Sequence, residues 1–480
     1  MSDIQRILPK SFDRENHWYE KALNATIHPM VSFFLHMKAE QIVKRYCHLH
    51  PLVRPAQLDD LLNFKPKHFF WSGADLINVT SAGAKRQMVV IETNSCPSGQ
   101  KSMPLKDEQQ EMGGYLELMR HTFAPLVNVR RQATGRLAVI YDKNPMEATG
   151  YAAAMAEVFQ EEVLLVPFPS ESLEDPNVRV SDGTLQCKDE EGFWQDLRAC
   201  FRYLTQKPWN RLPVSSKTFI FNPVIACLAG GRNKMVAAKA YELLNGELQG
   251  SGLAINTPET IWDVSKDEVP LWVNKLGGQA VIKVPYSNAG QGVFTIVSRA
   301  ELDAFMALDF HYEKFIVQSL IGNYNWSSQT AKGKLYHVGT LPDKRNNTYV
   351  SDLRMMIHNT EHGFRPLSIY ARRAALPLLD KIPEGEASWS ILGTNLSYKT
   401  PEGAWSSDTS RLMMMDQRDF NKLGIGLDDL IEAYIQTLLS TVAIDKMAQN
   451  LISIKGRLKS KLFRSLNNDE KLIEEILKSK

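Results

Sequence analysis

Between residues 15 and 50, apolar side chains recur at steps of three and four: Trp18, Ala22, Ile27, Val31, Phe34, Leu35 and Met37. That spacing predicts helix. "LHPLVRPAQLDDLLNF" follows as a proline-broken connection with a short helix. The period then changes: "HFFWSGADLINVT" and "RQMVVIETN" read as strands, joined by the glycine-containing "SAGAKRQ" into a hairpin. Residues 136–170 run strand ("RLAVIYD"), Ala-rich helix ("EATGYAAAMAEVFQE") and strand ("VLLVPFP"). This βαβ pattern predicts a small parallel α/β unit reaching to about residue 230. Beyond it come the helix "NKMVAAKAYELLN", the turn "NTPET" and the strand "QAVIKVPY". The loop "SNAGQG" leads to "VFTIVS", a helix near 299–308 and the strand "KFIVQSLI". Strands around "KLYHVGTL", "SDLRMMIH" and "LSIYARRA" precede a helix over about 426–441. The C-terminal "KGRLKSKLFRSLNNDEKLIEEILKSK" alternates charge with apolar residues, as an amphipathic helix pair does.

Bulk properties narrow the class. A chain of 480 residues suggests about three domains. A hydrophobic share of 44% with 23% charged residues is that of a globular protein. The formal charge of +2 favours neither nucleic acid nor a membrane surface. No window approaches the ~20 apolar residues of a membrane helix, and "MSDIQRILPKSFDRENHW" has no signal-peptide core. Five cysteines without CxxC spacing point away from a disulfide framework or zinc site. The expectation is a cytoplasmic protein in a reducing compartment. The basic tail reads first as a solvated helix face, with a docking surface for an anionic partner as the alternative.

Three constellations carry chemistry. Glu92 and Asn94 are two apart on a strand and leave the same face of the sheet. The hairpin puts Asp75 beside them. Two carboxylates and an amide oxygen are hard donors of the kind Mg²⁺ takes while keeping positions for phosphate; a strand simply ending at solvent is the plain alternative. In "VIKVPYSNAGQGV", Lys283 sits within an apolar strand, where an unpaired ammonium is costly. Ser287, Asn288, Gly290 and Gly292 follow in a loop able to turn backbone N–H groups toward an anion. Neither a Walker A motif nor GxGxxG is present, and a glycine-rich hairpin with a snorkelling lysine would look the same. In "SDLRMMIH", Asp352 and Arg354 share one strand face, and Arg372 and Arg373 stand on the next strand. Arginine forks suit phosphoryl or carboxylate oxygens, though surface ion pairs are their common fate. Asn395 in "ILGTNLS" is near enough in sequence to join them.

Together these motifs resemble the ATP-grasp superfamily in a permuted order. "GRNK" with Lys234 looks like the family's first lysine, and Lys283 with "SNAGQG" like its second lysine and flap. "VQSLI", with Gln318, Ser319, Leu320 and Ile321, looks like the adenine-facing hinge, although many relatives carry Glu where Gln318 stands. Asp352, Arg354, Arg372 or Arg373, and Asn395 follow in the familiar sequence. The G-x-D and E-x-N elements that normally close the fold come first here, as Asp75, Glu92 and Asn94. This arrangement is similar to that of eukaryotic glutathione synthetases.

The resemblance implies an α/β fold: a circularly permuted ATP-grasp fold with a small parallel α/β domain. Its parts would be residues 1–130 (helices and metal-binding hairpin), 131–230 (α/β domain), 231–320 (lobe with the flap), 321–445 (remaining lobe) and 446–480 (tail). It further implies ATP and Mg²⁺, with Mn²⁺ able to substitute, bound by Asp75, Glu92 and Asn94. Lys234, Lys283, the flap, the hinge and Asp352 would hold the nucleotide. Arg354, Arg372 or Arg373, and Asn395 would serve catalysis. The implied reaction is ATP-dependent ligation of a carboxylate to an amine through an acylphosphate. Its substrates would be amino acids or small peptides, with no nucleic acid or membrane partner and a homodimer as the common family state. A small-molecule kinase and a nucleotide-binding scaffold are the rival readings. Cys96, just past the metal strand, is a small turn residue or a covalent nucleophile.

Overall fold

The alternation over residues 68–94 becomes the expected hairpin, and its position determines the rest of the site. The computed structural model describes residues 4–129, 134–169, 176–204, 211–287, 290, 292–383, 385–399 and 405–477. The strands of the first hundred residues are β1 (Gln5–Ile7), β2 (Trp71–Ser81) and β3 (Arg86–Asn94). The helical region expected over 15–50 consists of Glu20–Leu23, Pro29–His36 and Ala39–Leu49. Pro29 starts one helix at a position that tolerates a missing N–H.

The α/β unit contains β4 (Arg136–Tyr141), β5 (Val163–Pro167), β6 (Val178–Ser181), β7 (Thr184–Lys188), β8 (Trp194–Tyr203) and β9 (Phe219–Phe221). Its parallel core is β5-β4-β8-β9. The predicted βαβ is there, with the helix Pro145–Phe159 between β4 and β5. Two antiparallel additions lie outside that expectation: β1 borders β5, and β7 and β6 extend from β8 as a meander.

Next come β10 (Thr260–Ser265), β11 (Ala280–Lys283), β12 (Val293–Ile296) and β13 (Lys314–Ser319), an antiparallel sheet in the order β10-β13-β11-β12. Then follow β14 (Leu335–His337), β15 (Ser351–Thr360) and β16 (Gly363–Arg373), ahead of the short pair Ser397–Lys399 and Trp405–Ser407. Strands β14, β15 and β16 join the first hairpin in a six-stranded sheet, β14-β2-β15-β16 followed by the short strand Leu412–Met413, with β3 on the other side of β2. All its pairings are antiparallel. Strands separated by more than 250 residues of chain are therefore direct neighbours.

Alternation gives this sheet two faces. Ala74, Leu76, Leu353, Met355, Ile369 and Ala371 belong to the largest apolar core. The helix Leu427–Leu451 packs against β2, β3 and β15. It runs ten residues past the expected end and through the anticipated 445/446 boundary. Its Asp445 is fully buried and accepts hydrogen bonds from the backbone N–H groups of His68 and Phe69, both 2.8 Å. That carboxylate anchors the approach to β2. The opposite face of the sheet carries the charges. The expected helix pair of the tail is Ser460–Leu466 and Glu470–Leu477.

Candidate functional site

Register builds one row of side chains across four strands. Asp75 on β2 stands opposite Glu92 on β3 and Arg354 on β15, and Arg354 stands opposite Tyr370 on β16. One step along the strands, Asp352 faces Arg372. Arg354 grips Asp75 with both prongs of its guanidinium, Nε to Oδ1 at 2.5 Å and Nη2 to Oδ2 at 2.6 Å. Arg372 reaches the same Oδ2 at 3.0 Å and binds Asp352 with Nε at 2.9 Å and with Nη2. Burial would raise the Asp75 pKa, but Arg354 and Arg372 outweigh it and hold the carboxylate ionised, well below its ordinary value.

This face lines a cavity of about 820 Å³. Lys234, Lys283, Ser287, Gly290, Gln318, Ser319 and Ile321 line it from the other sheet and its neighbouring helix and loops. Asn233 caps the helix Lys234–Glu247 with its side chain, so Lys234 occupies the first helical position. Its Nζ lies 2.8 Å from Ser287 O and 3.4 Å from Glu92 Oε2. Lys283 Nζ donates to Ile91 O at 3.4 Å. Burial depresses its pKa to about 8, with Glu92 opposing and Lys234 reinforcing the shift. Gln318 Nε2 donates to Thr260 Oγ1 at 2.8 Å. Gly290, at φ +73°, comes so close to Asn395 that an added Cβ would sit 2.2 Å from its Nδ2. The left-handed backbone there favours glycine. Asn395 lines the cavity too, its carbonyl held by Arg411.

Not every expected residue is at the cavity. Arg373 points to the opposite face from Arg372, with its guanidinium over the Tyr349 ring at 4.7 Å, so of the two arginines Arg372 faces the site. Leu320 is buried in a separate cluster with Trp326 and Ile391. Gly292, at φ +68°, turns the loop, its carbonyl accepting from Val284 N at 2.7 Å, without lining the cavity. Asn288 lies outside the described residues. Cys96 is fully buried, donates to Leu204 O at 3.0 Å and is absent from the cavity wall, which counts against a nucleophile.

As for a metal, both oxygens of Asp75 are engaged by guanidinium groups, so in this arrangement Asp75 anchors arginines. Glu92 and Asn94 retain hard oxygen donors on the same face, and Asn94 Nδ2 is buried without a partner among the described residues. Among the described residues no three His, Cys, Asp or Glu side chains converge as a metal cage. This donor set fits an ion that takes one or two protein ligands and fills its shell with water and phosphate.

No family model matches the chain, and no curated protein matches it. Solved structures do. A glutathione synthetase-like effector from Globodera pallida, in apo form, is 9% identical, with 77% of this chain and 87% of that one covered at a TM-score of 0.37. A RimK-domain ATP-grasp protein from Sphaerobacter thermophilus is 14% identical, covering 49% and 90% at 0.28. The ATP-grasp ligase PsnB, complexed with a minimal precursor, Mg and ADP, is 11% identical, covering 48% and 88% at 0.24. Similarity of this extent carries no argument about chemistry. The geometry has to.

Several cavity residues had no individual assignment from the sequence. The segment after β3 is tied to both sides of the site: Ser98 O accepts from Arg354 Nη1 at 3.3 Å and Tyr370 OH at 3.1 Å. Glu147, fully buried, accepts from Ser98 Oγ and Gly99 N at 2.7 Å each, and from Tyr203 OH. Gly99, at φ +149°, lies against the Tyr370 ring, where a Cβ would sit 2.2 Å away. Lys101 extends the wall, and Lys143 and Asn144 carry it onto the α/β unit. Lys143 donates to Cys96 O at 3.1 Å. Its pKa is lowered to about 7 by burial and then by Arg232. The signal for Lys143 and Asn144 is the Asn144-Pro145 helix start at the end of a parallel strand, where α/β folds place ligands.

Proposed function

We propose that the chain is an ATP-dependent carboxylate–amine ligase with a circularly permuted ATP-grasp arrangement. The observation carrying this reading is the in-register row Glu92–Asp75–Arg354–Tyr370, with Asp352–Arg372 beside it, on one wall of the cavity that Lys234, Lys283 and Gln318 line from the other sheet. Carboxylates, arginines and lysines on separate rigid elements are what phosphoryl transfer needs, since that chemistry is chiefly positioning and charge stabilisation.

In this reading Lys234 and Lys283 bind the α- and β-phosphates, and the region of Gln318 and Ser319 receives the base and ribose. Arg354 and Arg372, fixed by Asp75 and Asp352, face the transferring group. A carboxylate oxygen of the first substrate attacks the γ-phosphorus, the bond to the β-phosphate oxygen breaks, and ADP leaves. The amine then attacks the acyl carbon, phosphate departs and the nitrogen loses a proton. Mg²⁺, held by Glu92 and Asn94, would supply charge neutralisation at the phosphate oxygens. Gly290 lies against Asn395, a contact that supports exclusion of water from the acylphosphate in this reading. Amino acids or small peptides are the substrates this reading favours, in the half of the cavity lined by Ser98, Lys101, Lys143 and Asn144.

The test is release of ADP and phosphate with Mg·ATP over pooled amino acids and carboxylic acids, followed by mass spectrometry. A product equal to two inputs minus water, formed only with ATP, is expected. A phosphorylated input without condensation would make it a kinase, and ATP binding without product from any pool would favour a scaffold. Glu92→Gln is expected to reduce turnover at least tenfold in a folded protein; unchanged Mg·ATP affinity and turnover would remove Glu92 from the site.

A further inference from the structure

Asn467 lies in the turn between the two tail helices, far in sequence from the cavity residues. Its Oδ1 accepts from Asn233 Nδ2 at 2.7 Å, and its Nδ2 donates to Tyr286 OH at 2.6 Å. The three side chains are 1%, 0% and 2% exposed, and none lines the cavity. Asn233 uses its own Oδ1 to cap the helix that begins at Lys234, accepting from Val236 N at 3.2 Å. Tyr286 lies between Lys283 and Ser287 in the stem of the glycine-containing loop. Lys234 is joined to that stem twice, by its backbone N to Pro285 O at 3.0 Å and by its Nζ to Ser287 O at 2.8 Å. One buried carboxamide therefore bridges the two lysine-bearing elements, beside the two direct bonds between them. Two residues later Asp469, fully buried, accepts from the backbone N–H groups of Glu313 (3.1 Å) and Lys314 (3.2 Å), where the strand leading to Gln318 begins. Packing alone would be served by an apolar side chain; a buried amide is tolerated only when its hydrogen bonds are made, and it then fixes geometry.

We propose that Asn467 is a positioning residue for nucleotide binding: through Asn233 and Tyr286 the tail holds Lys234 and the loop stem in the spacing that receives the phosphates. The inference rests on the nucleotide-binding reading above.

The test uses the full chain. Mg·ATP affinity is measured by titration calorimetry, and hydrogen exchange at the Lys234 and Val236 amides is followed without nucleotide. Asn467→Ala is expected to weaken Mg·ATP about tenfold, the loss of one good hydrogen bond's worth of order, and to speed exchange at both amides. Turnover at saturating ATP should stay within about twofold. Ile473→Ala, a packing change in the same tail, is expected to lower the thermal midpoint and leave both readouts unmoved. Tyr286→Phe removes one link while keeping the ring, so it stands in if Asn467→Ala does not fold. It should give a smaller loss, not additive with Asn467→Ala. Unchanged affinity in Asn467→Ala, or equal loosening in Ile473→Ala, would overturn the proposal. If the wild-type chain does not bind Mg·ATP, the nucleotide reading fails, and exchange alone decides whether Asn467 holds these elements: unaltered rates would overturn that too.

Discussion

The six-stranded sheet brings its arginines to the cavity already paired: Arg354 with Asp75, and Arg372 with Asp75 and Asp352. The four-stranded sheet brings Lys283 with no carboxylate within ion-pairing distance among the described residues, its Nζ reaching only the Ile91 carbonyl. The paired network is a geometric device, because removing any member leaves buried charge behind. The lysine is held at an electrostatic cost that an incoming anion would relieve. One wall orients, and the other attracts.

That contrast can be broken at its strongest point. Asp75→Asn leaves two buried guanidinium groups short of a counter-charge and should destabilise the fold by about 3–5 kcal/mol, read from the urea midpoint, with turnover lost. Lys283→Met should do the opposite. It removes a buried cation, so the urea midpoint should hold or rise, while Mg·ATP affinity falls about 10–100-fold, the value of a charged hydrogen bond or two. Should both substitutions destabilise equally, the two walls do not differ as described.

The pH dependence sharpens the same point. Burial lowers the Lys283 pKa from 10.5 to about 8, so the folded chain binds fewer protons than the unfolded chain between those values. Its contribution to stability therefore rises with pH across that interval. Phosphate binding needs the protonated form, so kcat/KM for ATP should fall above about pH 8, and Lys283→Met should lack this limb. The smallest effect belongs to Arg373→Gln. That arginine faces away from the cavity over Tyr349, so the expected cost is at most about 1 kcal/mol of stability, with turnover unchanged in a steady-state assay.

The hairpin bearing Asp75 and Glu92 was legible because alternation over two adjacent segments specifies both strand and face. The choice between Arg372 and Arg373 was not. It depends on the pairing of β16 with β15, which is irregular between Met356 and Ile357, where Pro366 marks a bulge without fixing its size or side. β1 is three residues long and exists only because β5 offers it an edge. The meander of β6, β7 and β8 hides in polar sequence such as "DGTLQCKDEEGF", where strands form by pairing with each other and with the parallel core. Asp75 was recognised as a site residue, but its partners were not: a carboxylate in a sequence looks the same whether it awaits a cation from solution or already holds two from the chain. Lys143 and Asn144 carried only the general signal of a strand end leading into a helix, since their place at the cavity comes from the α/β unit being set against the sheet.

The joining of β2 to β15 also bears on how the protein is made. Asp75 and Arg354 are 279 residues apart. At ribosomal rates of about 5–20 residues per second, roughly 15 to 55 s separate the synthesis of the first from that of the second. For most of that interval the hairpin stands with an open edge and an apolar face that the helix Leu427–Leu451 covers only at the end. A nascent chain of this design exposes strand edges for longer than one whose sheets close in order, so its yield in cells should depend on chaperones and on elongation speed more than its finished stability would suggest.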